Sequence, residues 1–249
     1  MTTLKGGKIF VRIGGWNFAP WRDSFYPKGL TQSKELNYAS RQLTSIEINS
    51  TFYGLQKPAT FRKWHDETPD GFVFSVKAPR FVTLRKDLAT AASSVERFLE
   101  SGVLELGRKL GPINWQLAPG KRFDAKELGA FLALLPRKLA GRPLRHALEV
   151  RDSSFDCEEF FELARERQVA VVEAGDSEHP RIQTRSATFS YLRVMGTKAS
   201  KPAGYPPAAL ARWREHAQSL ARDGDVFFYF ISGAKERNPH AARALIAAL

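Results

Sequence analysis

Cysteine is nearly missing from this sequence: Cys157 stands alone, so neither an internal disulfide nor a cysteine-built zinc cluster can form. Its neighbours Asp156, Glu158 and Glu159 are acidic and raise a thiol pKa, so Cys157 is expected to serve at a surface or a helix start. Histidine is scarce as well. His65, His146, His179, His216 and His240 nowhere show a two-ligand spacing, and no metal is expected. His146 falls on the helix-covered face of a strand and His65 beside Trp64 in a helix, both structural placements. There is no Gly-x-Gly-x-x-Gly turn after the first apolar run and no Gly-x-x-x-x-Gly-Lys-Ser/Thr loop, so no cofactor is expected. No run approaches the roughly 18–20 apolar residues that span a bilayer, and Met1-Thr2-Thr3-Leu4-Lys5-Gly6 lacks a signal-peptide core. A cytoplasmic protein without membrane contact is expected.

What is present is ordinary globular material with an excess of positive charge. Apolar residues make up 43% and charged residues 26% of 249, enough for a sizeable core. The formal charge of +12 is spread along the chain and favours polyanionic partners by long-range attraction, although a solvated basic surface has the same composition. Nothing in the sequence specifies an oligomeric state.

The strongest pattern is an alternation of short β-rich runs with longer segments of helical apolar spacing. The runs cover residues 8–13, 45–49, 72–77, 112–117, 145–151, 169–173, 188–195 and 226–231. Helices are predicted over residues 30–41, 58–67, 91–110, 125–135, 155–167, 207–222 and 239–249. Pro58, Pro207 and Pro239 suit first-turn positions, where a missing N–H costs nothing. Eight such units predict an α/β fold of one domain over residues 1–249, a (β/α)8 TIM-like barrel with parallel strands. The sixth crossover is expected to be irregular, because residues 175–186 are polar and carry little helical periodicity.

Polar residues two apart mark the faces of these strands. Glu47 and Asn49 oppose Ile46 and Ile48; Ser75 and Lys77 oppose Phe74 and Val76; Asn114 and Gln116 oppose Ile113 and Trp115; Glu149 and Arg151 oppose Leu148 and Val150. Arg193 and Tyr229 extend the set. Because a barrel buries its outer face under helices, these side chains are expected to point inward and toward the mouth at the strands' carboxyl ends. The competing reading is a set of mutually paired charges that only hold the fold. The last two strand-end loops carry Gly196-Thr197-Lys198 and Ser232-Gly233-Ala234-Lys235, followed by Asn238-Pro239 as an expected N-cap and first turn. Glycine, free N–H groups and lysine together make a candidate phosphate site, though such loops are also common turns.

Further motifs run through the chain: Gly14-Gly15-Trp16, Pro20-Trp21-Arg22, Phe25-Tyr26-Pro27, Ile46-Glu47-Ile48-Asn49-Ser50-Thr51-Phe52-Tyr53, Phe74-Ser75-Val76-Lys77-Ala78-Pro79, Leu110-Gly111-Pro112, Gln116-Leu117, Glu149-Val150-Arg151 and Val226-Phe227-Phe228-Tyr229-Phe230. In these the chain resembles the YecE-like family, domain of unknown function 72, over nearly its whole length. The resemblance implies a barrel and no particular chemistry. Two departures stand out. Many relatives have a further glycine near Arg12 and an Asn-Asn pair directly after the position of Phe230, where this chain has Ile231-Ser232-Gly233.

Three functions compete. The first is binding or processing of a phosphate-bearing ligand, a small molecule or nucleic acid, with charge from Lys77, Arg151, Arg193, Lys198 and Lys235 and contacts from Asn49, Gln116, Tyr229, Ser232 and Gly233. Glu47 and Glu149 would be its acid and base, without a metal. Trp16, Trp21, Phe52 and Tyr53 would stack on a base or sugar ring, or else plug the mouth. The second is a glycoside hydrolase using Glu47 and Glu149, against which the closeness of Arg151 to Glu149 counts. The third is a noncatalytic barrel that binds nucleic acid or protein. Lys77 is also a position from which a barrel forms a Schiff base, although its charged neighbours favour an ammonium that binds an anion.

Overall fold

Apolar β-formers interleaved with polar residues build eight strands that hydrogen-bond into one ring. The computed structural model describes residues 6–249, so the reading of the first five residues lies outside it. The strands are β1 (Ile9–Gly14), β2 (Ser45–Ile48), β3 (Val73–Lys77), β4 (Leu110–Gln116), β5 (His146–Glu149), β6 (Val169–Ala174), β7 (Phe189–Val194) and β8 (Asp225–Phe230). Every neighbouring pair is parallel, and β1 closes the ring on β8 with Ile9 opposite Val226. The main helices are α1 (Glu35–Gln42), α2 (Pro58–Asp66), α3 (Ala92–Leu99), α4 (Ala125–Ala133), α5 (Glu158–Arg167), α6 (Pro207–Ala221) and α7 (Asn238–Ala248). One follows each strand except β6, and the result is a TIM barrel. None of the described helices is long and apolar enough to cross a membrane.

The alternation of side chains along each strand divides the core in two. Outward residues such as Ile46, Phe74, Ile113, Trp115, Leu148 and Phe228 are buried against the helices. Each contributes about 1.5–3 kcal/mol by leaving water. Trp115 sits edge-on between Phe98 of α3 and Phe131 of α4, and its Nε1 donates to His146 Nδ1 at 3.1 Å. His146 Nε2 lies 2.9 Å from the Pro136 carbonyl, so this ring carries its proton on Nε2 and is fixed in the outer layer. Burial lowers its pKa to about 4. The inner face begins with an apolar floor that includes Phe10, Ala147, Ala170, Phe189 and Phe227.

The sixth crossover lacks a helix, as its polarity predicts. The outer face of β6 carries Glu173, which an apolar helix face would leave unpaired at a cost. It accepts from Arg181 Nε at 2.8 Å and Gln183 Nε2 at 3.0 Å, and lies 2.8 Å from His216 Nε2 on α6. Polar contacts therefore close the gap that helices fill elsewhere.

The predicted helix over residues 91–110 is divided. It ends at Leu99, Gly102 turns the chain with φ 105°, and 3-10 turns over Val103–Lys109, interrupted at Gly107 (φ 55°), lead directly into β4. Strand β2 stops at Ile48, because Asn49 adopts helical angles and opens a one-turn helix, Ser50–Tyr53. A two-stranded antiparallel ribbon, Lys138–Leu139 with Arg142–Pro143, had no counterpart in the strand pattern.

Two glycines with positive φ separate backbone strain from crowding. A Cβ on Gly102 would lie 2.6 Å from Pro58 Cα, whereas one on Gly141 meets nothing within 4 Å. Gly141→Ala is expected to cost about 1–2 kcal/mol from its left-handed backbone alone, and Gly102→Ala distinctly more. Urea denaturation of both variants checks this, and equal losses would contradict it.

Candidate functional site

Inward residues at the carboxyl ends of β2, β3, β4, β5 and β7 meet in one cluster. Arg193 on β7 is its centre: Nη2 donates to Glu47 Oε1 on β2 at 2.9 Å, and Nη1 to Glu149 Oε2 on β5. Tyr191, one inward position earlier on β7, donates its hydroxyl to Glu47 Oε2 at 2.6 Å. Asn114 Nδ2 on β4 lies between the carboxylates, 3.4 Å from Glu47 and 3.2 Å from Glu149. Gln116 Nε2 donates to Glu149 Oε1 at 2.7 Å, and its carbonyl accepts from Lys77 Nζ at 2.7 Å. Arg151, just beyond β5, reaches back to Glu149 Oε1 at 3.0 Å. The five charged residues expected to converge thus do so.

Their surroundings differ sharply. Glu47 and Glu149 are completely buried. Burial alone would push Glu149 up, but Arg193, Arg151 and Lys77 together outweigh it and hold the carboxyl at about 2. It carries no proton to donate near neutral pH. Burial also opposes the charge on Arg193, and Glu149 and Glu47 more than restore it. Lys77 is the exception: among the described residues no carboxylate lies within 4 Å of its Nζ, which sits 3.9 Å from the centre of the Phe52 ring. Burial, followed by repulsion from Arg193, lowers its pKa to about 8. Three cations (Lys77, Arg151, Arg193) face two carboxylates, so the cluster has one positive charge in excess.

One inward position deeper lies a residue outside the expected site. Arg12 on β1 is fully buried, with Phe227 4.1 Å beneath its guanidinium. Its Nη1 donates to Tyr229 Oη at 2.6 Å and Ser75 Oγ at 2.8 Å. Burial lowers its pKa to about 10, which leaves it charged at neutral pH. The pairing of Phe10 and Arg12 against Val11 and Ile13 is the signal that would have found it. Tyr229, expected at the mouth, belongs to this lower layer: it is fully buried, bonded to Arg12 and Ser75, and stacked 4.6 Å from Tyr191.

The loops above the strands divide the remaining candidates. A cavity of about 370 Å³ is lined by Gly14, Gly15, Trp16, Asn49 and Lys235, among others. Lys235 Nζ rests 4.2 Å from the Phe18 ring centre, and no carboxylate among the described residues pairs with it. Of the four mouth aromatics, Trp21 is a plug, fully buried with Nε1 bonded to the Lys235 carbonyl at 2.9 Å. Trp16 packs edge-on to Trp64, Phe52 covers Lys77, and Tyr53 is 70% exposed.

The expected phosphate cradle after β7 needs correction. Asp176 Oδ1 accepts from the Met195 and Gly196 N–H groups at 2.7 and 3.0 Å, so the protein's own carboxylate occupies those donors. Asn238 does not cap α7. It is buried, accepts from Thr197 Oγ1 at 2.9 Å and donates to the Ser232 carbonyl, while the chain turns into a 3-10 segment as early as Lys235. Its side chain joins the two loops and leaves the helix start uncapped. Lys198, Ser232 and Gly233 are exposed on these loops, the last two both with φ 56°. Among the described residues no group of three or more His, Cys, Asp or Glu is placed to hold a metal.

A closed parallel barrel with a charged cluster under its strand-end loops defines a TIM-barrel protein. The chain belongs to the family described as protein of unknown function DUF72, whose model matches residues 10–249. It is 29% identical over 160 residues to the UPF0759 protein YunF of Bacillus subtilis, a match covering 62% of this chain and 54% of that protein. It is also 29% identical over 150 residues to the UPF0759 protein YecE of Escherichia coli K12, covering 59% and 50%. These matches span about half the length of those relatives. Among solved structures, a DUF72 family protein from Thermotoga maritima superposes with a TM-score of 0.74 at 22% identity, covering 96% of this chain and 97% of that one. Another from Enterococcus faecalis gives 0.72 at 14% identity, covering 98% of both. These similarities establish the fold and the family.

Arg193 is the residue whose loss exposes the cluster's energetics most clearly. Arg193→Met leaves two buried carboxylates without their shared cation and is expected to cost about 3–5 kcal/mol. Chemical denaturation measures it, and a loss below about 1 kcal/mol would show that the pairing holds nothing in place.

Proposed function

We propose that this protein binds a phosphate-bearing ligand at the carboxyl-end mouth of the barrel. The observation that carries the proposal is the excess charge: Glu47 and Glu149 are satisfied by Arg193 and Arg151, and Lys77 is left without a carboxylate. A buried cation without a counter-ion is costly, and an anion entering the mouth removes that cost. Lys77 and Arg151 supply the charge nearest the cluster, and Lys235 supplies it at the neighbouring cavity. Asn49 and Trp16, which line that cavity, supply a polar contact and an aromatic wall.

In this reading Glu47 and Glu149 are counter-ions that aim the cations. The glycoside hydrolase alternative draws no support from their surroundings, because a general acid needs a proton and an approach to the sugar. Both carboxylates are sealed, and one Arg193 grips the pair. The phosphate contact itself is assigned to the side chains of Lys77, Arg151 and Lys235, since the Gly196 N–H is already taken. Lys198, Ser232 and Gly233 stand at the outer edge of the mouth, where a larger ligand such as nucleic acid would meet them.

Calorimetric titration with inorganic phosphate, sugar phosphates, nucleotides and oligonucleotides at several salt concentrations tests the proposal. Binding of the small phosphates is expected to weaken about tenfold in Lys77→Met, the worth of one charge-assisted contact. It should also weaken as pH rises through about 8, because Lys77 is an ammonium below that value and a neutral amine above it. Tight binding of oligonucleotides alone, with a steep salt dependence and no effect of Lys77→Met, would move the ligand to the basic exterior. No binding of any phosphate would overturn the proposal.

A further inference from the structure

A lysine differs from an arginine in one chemical respect that matters here: once it loses its proton it is a nucleophile. Within the mouth cluster Arg193 and Arg151 are each clamped by carboxylates, while Lys77 Nζ has a single amide acceptor, Gln116 Oε1, at 2.7 Å. Gln116 is oriented by its own bond to Glu149, so the acceptor holds Nζ in position without fixing its charge. The lysine is the last residue of β3, where barrel enzymes carry their reacting groups. Among the described residues no protein donor reaches the side-chain oxygen Oδ1 of Asn114, a fully buried residue that pairs with Lys77 in register. That orphan acceptor calls for a ligand hydroxyl within the same cluster.

We infer that Lys77 is an amine nucleophile that condenses with the carbonyl group of a phosphorylated aldehyde or ketone bound at the mouth. The inference rests on the phosphate-ligand reading above and names its substrate class. The ammonium gives up one proton, the Nζ lone pair forms a bond to the carbonyl carbon as the C=O π pair moves to oxygen, and that oxygen takes up the two protons shed by nitrogen and leaves as water while the C=N bond forms. The overall change is R–NH3+ plus a carbonyl compound to a protonated imine plus water, with atoms and charge balanced. Because the iminium bears the same positive charge as the ammonium, the countercharge that holds the anionic ligand persists through the reaction.

Two local features bear on the free amine. The Phe52 ring favours the ammonium by a cation–π contact worth about 0.5–2 kcal/mol. Burial and the neighbouring guanidiniums act the other way and prevail, which sets the pKa near 8. The cover over Nζ is itself a mouth residue: Phe52 lies on the one-turn helix Ser50–Tyr53, half-buried, and is not part of the packed core. Phe52, which covers Lys77 Nζ, thus itself borders the solvent.

Reductive trapping tests the inference. The intact protein is incubated with glyceraldehyde 3-phosphate or with unphosphorylated glyceraldehyde, then treated with cyanoborohydride, and the modified lysines are mapped by peptide mass spectrometry. Near neutral pH Lys77 is expected to be modified about tenfold faster than the exposed Lys198 and Lys201, because its lowered pKa leaves an appreciable fraction of it as free amine. Its rate should level off above pH 8. Lys77→Arg, which keeps the charge and cannot form an imine, should lose this labelling. Faster trapping by the phosphorylated aldehyde supports both readings. Equal trapping of Lys77 by the two aldehydes keeps the amine chemistry and removes the phosphate reading. Phosphate binding with Lys77 labelled no faster than Lys198 overturns the inference and leaves the binding proposal standing.

Discussion

One guanidinium holds the upper barrel together. Arg193 bonds to Glu47 and Glu149, carboxylates that arrive from strands on different sides of the ring, and it does so where water cannot reach either. An unpaired carboxylate in that position would carry a desolvation penalty of several kcal/mol. The remaining mouth contacts follow from this pairing. With Glu149 fixed, Gln116 and Arg151 have a defined partner, and Gln116 in turn sets the position of Lys77. Tyr191 and Asn114 complete the hydrogen-bonding capacity of Glu47.

The same pairing explains why Lys77 is left without a carboxylate partner. Two arginines neutralise two glutamates, so the fifth charged residue has nothing left to pair with. A barrel interior tolerates this only because the odd charge belongs to lysine, which lowers its pKa when desolvated, and because an aromatic face lies against it. Beneath it, Arg12 solves a similar problem differently, with a phenyl ring below and two hydroxyls in hydrogen-bonding range. The interior is therefore positive over at least two layers, in keeping with an anionic ligand above.

Much of this was readable in the residues because strand periodicity is strict. A polar residue every second position in an apolar run has one place to go when the other face is covered by helices, and Glu47, Lys77, Asn114, Gln116, Glu149 and Arg193 all followed that rule. Arg12 obeys it too, one layer lower. What escaped the pattern was set by contacts distant in sequence. Nothing near Gly196 says that Asp176 will cross 20 positions to take its N–H, and nothing near Asn238 says that Thr197 will take its side chain. The break at Gly102 was hidden because apolar spacing continues on both sides of it, and Asn49 fell out of register when its backbone turned helical one residue early.

The central claim is that Lys77 is the uncompensated cation of an otherwise neutral mouth cluster. Heteronuclear NMR resolves it most directly, by following the lysine Cε and Nζ shifts of the labelled protein across pH, with and without inorganic phosphate. The account predicts that one lysine, absent from the spectrum of Lys77→Arg, titrates near pH 8 and moves upward when phosphate is added. A Lys77 that titrates near the ordinary lysine value of 10.5, unmoved by phosphate, would contradict it.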